Sequence, residues 1–203
     1  MIMHKIHKVL RISAIATLGT QSGARNMTDH NLSTEVEQAF LKQNILKVVP
    51  KKILHVTYQR DITVGLGNEL GISQVKEKPQ VTWEAKESTY YTLMLIDPDA
   101  LSRRFPILSE VRHWLVMNIP GSAVENGDEV IEYRGSGASR FTGLHRYIFL
   151  VYKQPNGIIT HNEPHTSNAS IIHRLRTSAS KLAKKYNLGD PEFGNFFEAQ
   201  YGT

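Results

Sequence analysis

From Tyr90 onward the chain alternates between apolar runs of strand length and short breaks rich in Gly, Pro, Asn and Asp. The runs are Tyr91 to Asp97, Arg112 to Ile119, Glu129 to Tyr133 and His145 to Gln154. The breaks include Pro120-Gly121, Asn126-Gly127, Gly135-Ser136-Gly137 and Pro155-Asn156-Gly157. Such runs, rich in β-branched and aromatic residues and bounded by turn formers, predict strands. No helical period lies between them, so antiparallel pairing in a sandwich or barrel is expected over βαβ units. Upstream, ILHVTY at 53 to 58 and Val81 to Trp83 add two short strands. Gly65, Gly67 and Gly71, between those two, lack the spacing of a phosphate loop and read as an ordinary loop.

Two segments carry the helical period. Ser33 to Gln43 places Thr34 and Glu37 in a capping-box relation and Val36 and Phe40 one turn apart, which predicts a short amphipathic helix. Farther on, Ile171, Ile172, Leu175, Ala179, Leu182, Ala183 and Tyr186 fall on one helical stripe. His173, Arg174, Arg176, Lys181, Lys184 and Lys185 populate the other side, which reads as a solvated basic face. Ser167 or Asn168 is the expected cap, and Gly189 with Pro191 the stop.

Composition adds bounds to this picture. The 203 residues are 40% hydrophobic, enough for one domain with a sizeable core. The division expected is an N-terminal extension over 1–26 and a single domain over 27–203. There are no cysteines, which removes disulfides, thiolate metal sites and a cysteine nucleophile. The net charge is +5, but residues 1 to 28 hold Lys5, Lys8, Arg11 and Arg25 with no acid, leaving 20 basic residues against 19 acidic ones. Basicity is therefore no argument for nucleic acid. The acid-free start, with Arg11 interrupting its apolar residues, reads as either a targeting segment, more mitochondrial than secretory in type, or an unstructured extension before Met27. Nothing later is long and apolar enough for a transmembrane segment.

Strand alternation isolates the candidate chemistry. Side chains two apart share a face, so His113 goes with Leu115, Met117 and Ile119, while His145 goes with Tyr147, Phe149 and Val151. Asp97 ends a row of Tyr91, Leu93 and Leu95. Three strands thus end an apolar face on an ionisable group. If the ends meet, Asp97, His113, His145 and Tyr147 make a small cavity with an apolar floor. A carboxylate beside imidazoles favours their charged form, and such a pair can hold a phosphate or carboxylate by charge-assisted hydrogen bonds. Gly135, Ser136 and Gly137 can add backbone N–H groups.

Other chemistries have weaker footing. His161 and His165 flank Glu163 and Pro164 in a pattern that is not the zinc-helix motif, so no metal site is expected. Ser136 lies in Gly-Ser-Gly and not in a nucleophile elbow. Asp97 and Asp99, two apart on a turn, do not by themselves take acid and base roles, so no catalytic residue is assigned. Asn26, Asn31 and Asn168 begin glycosylation sequons, which matter in a secreted chain.

The stretches IDPDALSR at 96 to 103, RHWLVMNIPG at 112 to 121 and EYRGSGASRFTGLHRYIFLVYKQ at 132 to 154 together resemble the phosphatidylethanolamine-binding proteins, a family that includes Raf kinase inhibitor protein. The resemblance extends over roughly residues 30 to 201 and implies a mainly β fold. That fold is a two-sheet antiparallel β-sandwich with a short N-terminal helix and a C-terminal amphipathic helix. It implies a pocket for a phospholipid headgroup or other small phosphate or carboxylate anion, with Asp97, His113, His145 and Tyr147 on the ligand-binding positions. It further implies a binding protein and not an enzyme, without a cofactor, monomeric and cytoplasmic. A mitochondrial or secreted location follows instead if residues 1–26 are a targeting segment. Partners implied are a protein kinase or, alternatively, a serine protease inhibited through a surface loop or terminus.

This chain departs from the family pattern in the expected pocket walls, which comprise Leu101, Val111, Gly135, Gly137 and Ser139. Leu101 stands where the family has proline, Ala138 and Ser139 replace two more prolines, Phe141 replaces a glycine, and Val111 replaces an aromatic. Loss of proline raises the entropy cost of ordering these loops, so looser or reshaped walls are expected.

Overall fold

The computed structural model describes residues 29–43 and 46–202. The extension over 1–26 lies outside the described residues. Helix α1 (Asp29–Gln43) is followed by five short strands: β1 (Lys52–Ile53), β2 (His55–Tyr58), β3 (Ile62–Thr63), β4 (Asn68–Glu69) and β5 (Gln80–Thr82). The longer strands β6 (Tyr90–Asp97), β7 (Val111–Pro120) and β9 (His145–Gln154) come next, with β8 (Asp128–Ile131) between the last two. Helix α2 (Ala179–Lys185) and strand β10 (Phe193–Ala199) complete the order.

The described chain is mainly β, with two sheets and two helices. The larger sheet runs β1-β10-β9-β6-β7-β8 with β4 also on β10, and the smaller runs β3-β2-β5. Strands β6 to β9 pair antiparallel as expected, whereas β1 and β4 run parallel to β10. Strands β6 and β9 are buried on both faces, which is why their sequences read as continuous apolar runs. Leu93, Leu95, Phe149 and Val151 share one cluster with Val56, Val81 and Trp83 of the small-sheet region. Met94, Ile96, Ile148 and Leu150 face the other way, against Val36 and Phe40 of α1 and Leu182 and Ala183 of α2.

The first helix buries the predicted pair, with Phe40 edge-on to Phe196 at 5.1 Å between centroids. It begins at Asp29, so Thr34 and Glu37 lie inside it and are not its cap. The late helix departs further from expectation. Only Ala179–Lys185 is helical, and Ser178 caps it by accepting from the Lys181 N–H. Upstream, the backbone pairs with another loop instead. Arg112 N–H donates to Arg174 O, Arg176 N–H to Leu108 O, and Glu110 and Thr177 exchange both of their bonds. Arg174 is fully buried, and its guanidinium donates to the carbonyls of Arg112, His113, Glu132, Ser167 and Ser170. A helix would offer a single element's worth of these bonds and leave that cation in water. Here tertiary pairing wins over local period.

Strand β10 was not anticipated, because Gly194 and Asn195 interrupt its apolar residues. Both have structural reasons. A Cβ at Gly194 would lie 2.4 Å from Pro50 Cγ, and the Asn195 amide bonds Leu54 O, Val64 O and the Leu66 N–H. The Gly67 loop is likewise a strap on β10, its N–H donating to Phe196 O at 2.7 Å.

Candidate functional site

The C-terminal end of β6 lies between the N-terminal ends of β7 and β9, since it runs antiparallel to both. That topology brings Asp97, His113 and His145 together at one end of the core. His145 Nδ1 donates to Asp97 Oδ2 at 2.8 Å, while the other carboxylate oxygen accepts from the Asp99 N–H at 2.7 Å. His145 Nε2 lies 2.9 Å from Thr142 Oγ1, whose hydroxyl donates to Ser139 O.

His113 reaches the site by a route that simple alternation misses. Leu95 pairs with Trp114 and Ile96 with Arg112, so a bulge skips His113. A second shift, between Tyr91 and Leu93, acts at the far end of β7. His113 and Ile119 therefore join the face of Trp114 and Val116, opposite Leu115 and Met117. The expectation that His113, Leu115, Met117 and Ile119 share one face is thus corrected. Without the bulge the imidazole would point toward the other cluster.

His113 is buried and its Nδ1 donates to Arg134 O at 2.8 Å, leaving Nε2 as the nitrogen available to a ligand. Burial pushes its pKa below the usual histidine value, against the pull of Asp97, and the nearby Arg174 pushes the same way. The expected gain of positive charge beside the carboxylate does not hold for this ring. Desolvation outweighs it. Tyr147 lies behind the two histidines: edge-on to His113 at 5.1 Å, stacked on Phe197 at 4.9 Å, its hydroxyl accepting from Ser136 Oγ. Burial raises its pKa well above the phenol range, so it remains a neutral support.

Asp99 does more than shape the turn. Its carboxylate binds the Arg146 backbone N–H and guanidinium, clamping the 98–110 loop to the start of β9. Burial alone would raise its pKa, but Arg146 brings it below the usual carboxylate value.

These groups open onto a cavity of about 190 Å³. Asp97, His113 and His145 line it, with Leu101, Val111, Gly137 and Ser139 in its walls. Gly135 does not line it. A Cβ there would sit 2.5 Å from Val75 O, so that glycine serves the close approach of the 75–76 segment. Sequence reasoning missed Arg134, Arg174, Thr142, Ile171 and Leu175, which also line the cavity. Arg134 had a signal, immediately before the Gly-Ser-Gly turn. Arg174 had none beyond a helical period that pointed it to solvent. A larger hollow of about 600 Å³ lies beside Trp114 and Val81, but it holds the Lys78–Glu129 ion pair and no histidine.

A family model described as phosphatidylethanolamine-binding protein matches residues 47–196. The chain belongs to the phosphatidylethanolamine-binding protein family. It is 35% identical over 167 residues to the 26 kDa secreted antigen of Toxocara canis, a match covering 79% of this chain and 63% of that protein. The chain therefore spans less than two thirds of that relative. Among solved structures it resembles the carboxypeptidase Y inhibitor complexed with its cognate proteinase, at TM-score 0.69 and 25% identity over 82% of this chain and 95% of that one. A phosphatidylethanolamine-binding protein from Plasmodium vivax matches at TM-score 0.68 and 22% identity, over 81% and 97% of the two chains, a likeness of fold.

Proposed function

We propose that the chain is a binding protein whose cavity takes a small anion, with the phosphate of a phosphoethanolamine headgroup as the leading ligand, and that it acts by binding and not by turnover. The observation that carries this reading is the Asp97–His145 pair beside His113 at the bottom of a small cavity on the sheet. His145, fixed by Asp97 through Nδ1, presents Nε2 to the anion in place of Thr142. Neutral His113 accepts a proton from a protonated phosphate, or takes one up from solvent as the anion binds. Arg134 adds positive charge at the mouth. Binding is therefore coupled to protonation and weakens as pH rises above the histidine range.

Titration with phosphorylethanolamine, followed through the imidazole resonances, tests the proposal. Shifts at His113 and His145, lost in His145→Ala, are expected. Unmoved resonances at both histidines would falsify the reading.

A second reading, serine protease inhibition through a surface loop or terminus, is favoured by the likeness to a proteinase-bound inhibitor. Retained inhibition in a His145→Ala variant that no longer binds anions would establish it. A kinase partner rests on family resemblance alone. Of the compartments, secretion has the support of the Toxocara canis relative's description, whereas the cytoplasmic expectation has none. In a secreted chain Asn168, exposed on its loop, becomes a glycan acceptor, detectable as an endoglycosidase-sensitive mass.

A further inference from the structure

The basic residues of the late segment do not form an even solvated face. His173 and Arg176, from the loop before α2, and Lys181 and Lys185, from α2 itself, line one cleft of about 380 Å³ together with Arg112 of β7. Ile131, Leu175 and Leu182 form its apolar side. His173 and Arg176 hold φ at 64° and 52°, a region that residues other than glycine enter at a cost. The loop is thus bent against its local preference where these two cations stand.

Arg112 gives the cleft its chemistry. The residue is only 7% exposed, and a guanidinium brings five N–H donors with it. Its neighbour Arg174 spends its donors on five carbonyls. Among the described residues the Arg112 side chain makes a single hydrogen bond, from Nη1 to Glu163 Oε2 at 3.5 Å. That acid is shared, since its other oxygen accepts from Lys185 Nζ at 2.7 Å and from the Tyr186 hydroxyl at 3.0 Å. Glu110, the other acid near Arg112, accepts from the Ala179 N–H. Burial lowers the Arg112 pKa against the pull of Glu163, as it does for a cation that has lost water without gaining a full set of partners. Such a group is costly to keep unless something else pairs with it. Arg176 and Lys181 are exposed, and among the described residues neither is in an ion pair.

We propose that this cleft is a second anion site, which takes the phosphate group of a small phosphomonoester. The planar Arg112 fork pairs with two phosphate oxygens, and Arg176 and Lys181 meet the rest of the charge. Four permanent cations, Arg112, Arg176, Lys181 and Lys185, face one acid, Glu163, and the excess of three matches a phosphate near −2 better than a single carboxylate. The apolar side of the cleft receives the ester's substituent. The site is separate from the cavity of Asp97, His113 and His145, with which it shares only Leu175 among the lining residues, so it does not rest on the headgroup reading.

Titration of the full chain with phenyl phosphate at fixed ionic strength, followed through the Arg112 Nε–H resonance and the amides of Arg176 and Lys185, tests it. Saturable shifts are expected in the wild type and equally in His145→Ala. Arg176→Glu with Lys181→Glu should weaken binding at least about tenfold without moving the urea midpoint, since both side chains are exposed. Arg112→Lys, which keeps the charge and loses the fork, should weaken it about tenfold as well. Inorganic phosphate should bind less tightly than phenyl phosphate, and parity would overturn the ester as ligand. Unmoved resonances, or shifts that chloride reproduces at the same ionic strength, overturn the site itself. Loss of the shifts in His145→Ala overturns it by assigning them to the cavity, relayed through Leu175, and leaves the headgroup reading standing. Affinity undiminished in the double variant overturns it too.

Discussion

The floor and the rim of the cavity invert the usual partition of side chains. At the floor, Asp97, His113 and His145 are polar groups sunk in a core, each with hydrogen-bond partners. At the rim, Leu101, Phe105, Phe141 and Ile172 are apolar groups standing in water. Polar groups inside and apolar groups outside both cost stability, so their meeting at one opening marks where the fold serves something other than itself. The floor is built on strands and fixed by pairing, whereas the rim is built on loops. One residue joins them: Arg174 binds floor strand and rim loop through five carbonyls.

Cutting that tie should give the largest effect. Arg174→Met leaves carbonyls of Arg112, His113, Glu132, Ser167 and Ser170 without their donor, and a loss of about 3–5 kcal/mol is expected in urea unfolding. A loss below about 1 kcal/mol would mean that floor and rim are independent. Next comes Asp97→Asn, which replaces the charged acceptor of His145 with an amide. Phosphorylethanolamine affinity should fall about tenfold, roughly 1.4 kcal/mol by calorimetry.

The pH response sharpens the comparison further. The folded His113 pKa lies below its unfolded value of about 6.5, so between the two the unfolded chain binds more protons. Its contribution to stability is therefore complete above about pH 6.5 and is lost as pH falls through the window below. Anion affinity should move oppositely, rising as pH falls. Urea midpoints and ligand titrations at about pH 7.5 and 5.5 read both, and His113→Gln should flatten the stability difference assigned to this residue. The smallest effect belongs to the rim. Phe141 holds φ at 70°, a region that glycine adopts without strain, while packing against little beyond Arg140. Relief of strain and gain of unfolded-chain entropy roughly offset, so Phe141→Gly should stay within about 0.5 kcal/mol in stability by urea unfolding. A large destabilisation would make Phe141 a structural residue and not a side chain that stands free at the rim.

Much of the floor was legible from residue order. Strand β9 runs over the predicted His145 to Gln154, and the ends carrying Asp97 and His145 follow from alternation alone. His113 was found by a pattern that places it on the wrong face; the bulge before Trp114 is what turns it inward. Its charge was also misjudged, because a neighbouring carboxylate is visible in sequence and the depth of burial is not. The rim was hardly legible at all. Near-neutral charge over the body of the chain concealed a one-signed surface, since counting cannot tell buried acids from exposed bases.

Local order by itself determined strands β6 to β9, the Val36–Phe40 face of α1, the absence of thiol chemistry and the Asp97–His145 end of the site. Those features depend on near neighbours: period, turn formers and residue type. Tertiary structure alone decided that residues 171–177 abandon a helical period, that β10 enters the sheet through Gly194 and Asn195, and that three distant loops present their arginines and phenylalanines around one opening. Each of these is a competition between a local preference of a few tenths of a kcal/mol per residue and long-range hydrogen bonds or contacts worth about 1 kcal/mol apiece. Sequence states the preference, and only the fold supplies the competitor.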